Sequence, residues 1–85
     1  LRGARSARAS TVGIVDEAAC RELLARNVRR LAQKRGLSVE RVADMADVSY
    51  STLWKLLASE HNATLRTLVK LAKALGCQPS ELLAR

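Results

Sequence analysis

LSVERVADMADVSYSTLWKLLAS, residues 37–59, carries two apolar stripes at helical spacing with only a few residues between them. Ser38 is placed to cap the first stripe, because its hydroxyl accepts a bond from an unpaired first-turn N–H. Glu40 follows where the helix dipole favours negative charge. Val42, Ala43 and Ala46 then share one face. Asp47 interrupts the pattern where the backbone is expected to turn left-handed, a conformation Asp tolerates better than most residues. Ser49 is the second cap, and Leu53, Leu56 and Leu57 recur after it. Two helices so closely joined must cross sharply, which is the helix-turn-helix arrangement.

The rest of the chain bounds what such a motif can do. Eighty-five residues make at most one domain, with a small core. Phe is absent, Tyr50 and Trp54 are the aromatics, and Leu, Val and Ala at helical spacing predict an all-α fold. No apolar run is long enough to cross a membrane. The net charge of +7 suggests a polyanionic partner, usually nucleic acid; a generally basic surface is the alternative. Cys20 and Cys77 lack metal-ligand spacing and have only His61 to assist, so neither a metal nor another cofactor is expected. Their pairing is left open, but nothing suggests a secreted scaffold, and a reduced cytoplasmic setting is expected. No paired carboxylates or nucleophile–base set points to an enzyme.

Residues 1–15, LRGARSARASTVGIV, show no sustained period and no signal-peptide core. They read as a flexible basic segment, in part a possible expression remnant. Short basic tails make non-specific contacts, so a tail with no dedicated role is the plainer reading. The alternative is an arm that drapes along DNA with Arg2, Arg5 and Arg8. Residues 16–85 form the expected domain. Its first helix begins as early as Asp16, carries Leu24, Val28 and Leu31, turns most of Arg21, Arg26, Arg29, Arg30 and Lys34 to solvent, and stops at Gly36. After the two central helices and a loop at Glu60–Ala63, Thr64 caps a fourth. Leu65, Leu68, Leu71, Ala72 and Leu75 form its stripe, and Gly76 ends it. Pro79 suits the first position of a fifth. That piece is too short to persist without packing, so it must dock, and Leu82 and Leu83 are its candidate core, dimer or partner face.

With these elements in order, the chain resembles the phage-repressor, or Xre/Cro, class of helix-turn-helix domains from Leu37 to Leu83, without a gap. The resemblance rests on Gly36-Leu37-Ser38, Val42-Ala43, Val48-Ser49, Ser51-Thr52-Leu53, Asn62, Thr64-Leu65, Thr67-Leu68, Leu71–Gly76 and Pro79-Ser80-Glu81-Leu82. It implies a lambda-repressor-like bundle of about five short helices, and a regulator, expected to be a repressor, whose helix 49–58 reads the major groove of double-stranded DNA. It also implies a bacterial or phage source and a homodimer on half-sites about 34 Å apart.

By that resemblance Tyr50, Ser51 and Lys55 occupy positions that commonly reach base edges. Their chemistry permits it: Lys55 can donate to guanine, Ser51 can donate or accept, and the Tyr50 ring suits a thymine methyl. Ser38, Ser49, Thr52, Asn62 and Arg66 are cast as phosphate contacts. For Ser49 and Thr64 capping alone is the plainer role. His61 reads as solvated. Trp54, on the flank shared with Tyr50 and Leu57, is expected to cover a seam between helices. The alternatives are an apolar contact with DNA, or a protein-docking patch of Tyr50, Trp54 and Leu57 that binds a partner such as a toxin or a further domain.

Four positions depart from the family. Val39 replaces the usual Gln after the first cap, Asp47 replaces the usual turn Gly, and Ala32 and Leu57 replace a common Arg–Glu pair. The last two changed together, which avoids a buried unpaired charge. Cys77 stands where the family usually has an apolar residue and reads as a small buried hydrophobe.

Overall fold

Asp16 opens the first helix by accepting the Ala19 N–H on its carboxylate at 2.7 Å. The computed structural model describes residues 16–85, so the arm expected from Arg2, Arg5 and Arg8 lies outside the described residues. Four α-helices follow: α1 (Glu17–Lys34), α2 (Val39–Ala46), α3 (Tyr50–Leu57) and α4 (Leu65–Leu75). Each begins in the same way. Asp16, Ser38, Ser49 and Thr64 have extended backbones, and each side chain accepts the N–H three residues on.

The four helices also end alike. Gly36, Asp47, Ser59 and Gly76 have φ of 68°, 57°, 62° and 69°. In each case the next residue's N–H reaches back into the last turn: Leu37 to Ala32, Val48 to Ala43, Glu60 to Lys55, Cys77 to Ala72, at 2.8–3.0 Å. These bonds satisfy carbonyls that would otherwise lack partners. Ser59 gave no sequence signal as a stop, and an L-residue there carries a left-handed penalty of about 1–2 kcal/mol. Ser59→Gly is therefore expected to stabilise the domain by about 0.5–1 kcal/mol after the added chain entropy of glycine is counted. Urea unfolding of the two proteins measures the difference.

The apolar faces converge on one core. Leu53, Leu71, Leu75 and Leu82 are fully buried, with Val28, Val42 and Leu56 nearly so. Helix α1 packs on α3, α4 and the C-terminal segment, and α2 crosses both α3 and α4. The expected fifth helix is instead a 3-10 helix, Pro79–Leu83, opened by Pro79 and tied by the Gln78 N–H to a Glu81 carboxylate oxygen at 2.8 Å. Five residues are too few for a persistent α-helix, and Leu82 holds this one in the core. The first helix runs for eighteen residues, within the span from Asp16 to Gly36 that its caps predict.

Asn27 is the buried polar side chain of the core, 3% exposed. Its amide nitrogen donates to the carbonyls of Leu82 at 2.9 Å and Ala84 at 2.7 Å. The C-terminal segment is thus fastened to α1 by one leucine and one amide. Both cysteines are free thiols. Cys77 is half-buried against the core, and burial, aided by the Glu81 carboxylate, raises its thiol pKa. Less thiolate forms at a given pH, so iodoacetamide should alkylate Cys77 more slowly in the folded than in the urea-unfolded protein near pH 8. Peptide mass mapping of the two reactions measures the ratio.

Candidate nucleic-acid interface

Helix α3 is held by its leucines and presents everything else. Leu53, Leu56 and Leu57 are 0–5% exposed. At about 100° per residue, Ser51 and Lys55 lie opposite that buried side, one turn apart. Both are exposed, as are Tyr50 and Trp54. The structure thus leaves all three expected base-reading side chains exposed, Ser51 and Lys55 on the outer face and Tyr50 at the N-terminal tip on the Leu57 flank.

The polar residues around this helix divide by what already occupies them. The Ser49 hydroxyl accepts the Thr52 N–H at 3.0 Å and donates to the Thr52 hydroxyl oxygen at 2.7 Å. Its cap is saturated, whereas Thr52 keeps its own hydroxyl proton for an outside acceptor. Ser38 similarly accepts the Arg41 N–H at 3.1 Å and keeps its proton. Thr64 is engaged with both the N–H and the hydroxyl of Thr67, so capping describes it. Arg66 is exposed at the start of α4.

Asn62 is positioned by a residue that the sequence did not single out. Arg21, on α1, donates from Nη1 to Asn62 Oδ1 at 2.7 Å and from Nε to the Ser59 carbonyl at 3.2 Å. The guanidinium clamps the loop that follows α3 and orients the Asn62 amide, leaving its nitrogen as donor. This corrects the solvent-facing role that the helical period gives Arg21. Residues 38 and 41 positions apart leave no local pattern by which to find such a bond. Arg29 acts similarly at the end of α3, donating to the Leu57 carbonyl at 3.2 Å. Lys70, on α4, reaches the Asp47 carbonyl at 3.2 Å and its carboxylate at 3.8 Å, so it braces the turn between α2 and α3.

Several expectations are corrected. Leu57 is buried, so it cannot share an exposed patch with Tyr50 and Trp54. Leu82 is fully buried and offers no partner face; Leu83, 38% exposed, remains at the surface. Trp54 does not cover a seam: it is 43% exposed, and its ring meets Tyr50 edge-to-face at 5.9 Å. The physical reason is angular. One turn from Tyr50, Trp54 stands outside the arc that the three leucines bury. Ala32 and Leu57 both line a groove of about 360 Å³, with Val28, Val39 and Val42. An apolar pair thus stands where the family often has charges.

Among the described residues, no three His, Cys, Asp or Glu side chains gather as a metal site, and no helix is long and apolar enough to cross a membrane.

Residues 27–85 match the model of the Cro/C1-type helix-turn-helix DNA-binding domain. The chain is 37% identical over 65 residues to the control protein C.SmaI of Serratia marcescens, covering 76% of this chain and 77% of that protein. Its fold is similar to the crystal structure of the restriction-modification controller protein C.AhdI from Aeromonas hydrophila, with a TM-score of 0.70 and 29% identity over 73% of this chain and 94% of that one. It is also similar to a hypothetical transcription factor from Neisseria, with a TM-score of 0.75 and 29% identity over 80% of this chain and 76% of that one. The match covers most of the domain, including the turn and α3. The chain belongs to the Cro/C1-type helix-turn-helix family of DNA-binding proteins.

Proposed function

We propose that this DNA-binding transcriptional regulator is sequence-specific and inserts α3 into the major groove, with Tyr50, Ser51 and Lys55 at base edges. The observation that carries the reading is the outward surface of α3, where Ser51 and Lys55 are exposed opposite three buried leucines and Tyr50 is exposed at the helix's N-terminal tip. Thr52, Ser38, Arg66 and the Asn62 amide serve as phosphate donors around it, and Ser49 contributes through the backbone N–H groups it leaves at the start of α3. The basic balance of the chain supplies the sequence-independent part of the affinity. Arg2, Arg5 and Arg8 would add to that part.

The protein acts as a cytoplasmic homodimer on a two-fold-related operator, in this reading as a repressor, and has no catalytic role. Likeness to two control proteins supports a place among the regulators of restriction-modification genes. Docking of a partner protein through Tyr50, Trp54 and Leu57 is less well supported, because Leu57 is buried.

Selection of bound duplexes from a random pool tests this directly. The expected product is an inverted repeat whose half-sites lie about 34 Å apart, bound with an affinity that falls steeply with salt. A pool that shows no enrichment, or binding indifferent to salt, would overturn the reading.

A further inference from the structure

Tyr50 and Trp54 are the only aromatic residues of the chain, and both stand half-exposed on the surface assigned to DNA. Their rings meet at 5.9 Å and an interplanar angle of 81°, so one ring fixes the other. Trp54 lies roughly 60° around the helix from Ser51, close enough to enter the same groove. What sets Trp54 apart from the other exposed apolar side chains is its pairing with Tyr50, which makes a fixed aromatic surface beside Ser51, Lys55 and Thr52 that an apolar group can cover.

The major groove offers one apolar feature, the C5-methyl of a pyrimidine. A phosphate would call for a hydroxyl or a cation, and the groove edges of guanine, adenine and unmodified cytosine call for hydrogen-bonding groups. We propose that Tyr50 and Trp54 form a methyl-reading corner, with Trp54 as a specificity-determining residue that packs on the C5-methyl of one pyrimidine in each half-site. The inference rests on the groove reading above. It adds a ligand feature, a pyrimidine methyl, that can come from thymine or from 5-methylcytosine.

The test removes single methyls. In the operator obtained by selection, each thymine is replaced in turn by deoxyuridine, which keeps the base-pairing edge and loses only the methyl. For the wild-type chain, one position per half-site should lose about fourfold in affinity, the value of one buried methyl. Trp54→Ala should bind the thymine operator more weakly and show no further loss at that position, whereas Lys55→Ala should keep the methyl dependence. Placing 5-methylcytosine, paired with guanine, at the same position separates the sources: recovery relative to unmodified cytosine assigns recognition to the methyl alone, and no recovery assigns it to thymine.

Trp54 is the chain's single tryptophan, so its fluorescence gives a second readout. Acrylamide should quench it readily in the free protein and poorly in the specific complex. A wild-type chain that keeps its site preference but shows no methyl dependence at any position would overturn the proposal. So would equal methyl dependence in Trp54→Ala, or a Trp54 still open to acrylamide on the operator, which would point to a protein partner for that ring. Failure to select any operator would sink the groove reading itself, a separate result.

Discussion

Leu53→Ala should lower the unfolding free energy by about 3–5 kcal/mol, a large share of the roughly 5–15 kcal/mol that holds a native domain together. Leu53 has no exposed surface and sits where α3 meets the core shared by α1 and α2. Truncation removes its buried methyls and leaves a cavity that the rigid backs of neighbouring helices cannot fill. Thermal and urea unfolding followed by far-ultraviolet dichroism give the loss. Leu53→Met, which conserves volume, should cost less than about 1.5 kcal/mol. A similar loss in both variants would mean that Leu53 acts through something other than packing.

Lys55→Ala should weaken binding to the selected operator by about 1–3 kcal/mol and relax preference at one base pair per half-site. The side chain is exposed opposite the buried leucines, so the substitution leaves folding intact and isolates the base interaction. Arg66→Ala provides the contrast. Removing a phosphate partner there should weaken all duplexes alike and lower the salt slope by about one ion. Titrations of the operator and of its single-pair variants at two salt concentrations separate the two patterns. If Lys55→Ala behaved like Arg66→Ala, Lys55 would belong to the backbone contacts and the base-reading assignment would be wrong.

Helix boundaries are legible in the sequence because their signals are local. Ser38, Ser49 and Thr64 each act on an N–H three residues away, and Gly36, Asp47 and Gly76 act through their own φ. The core stripes are legible for a related reason, since a residue's face on a helix follows from its position in the period. Leu65, expected in the stripe of α4, is nevertheless 80% exposed because it lies in the first turn, beyond the packed part of the helix. Periodicity alone puts Leu53 and Leu56 on the inner side of α3 and Ser51 and Lys55 on the outer side, where the fold has them. Trp54 and Leu57 show where that signal stops. Both lie on one flank, yet one is buried and the other open, because the edge of a buried arc depends on which neighbour packs against it.

The sequence by itself determined that the chain forms capped helices, with left-handed stops at Gly36, Asp47 and Gly76 but not at Ser59, and with α3 apolar on one side and polar on the other. Only the tertiary structure decided that Leu82 closes the core, that Asn27 fastens the C-terminal carbonyls, and that Arg21 orients Asn62 beside α3. The first set rests on bonds spanning three to five residues, which neighbouring side chains dictate. The second joins residues 41 to 57 positions apart, and no periodicity or cap carries information over that distance.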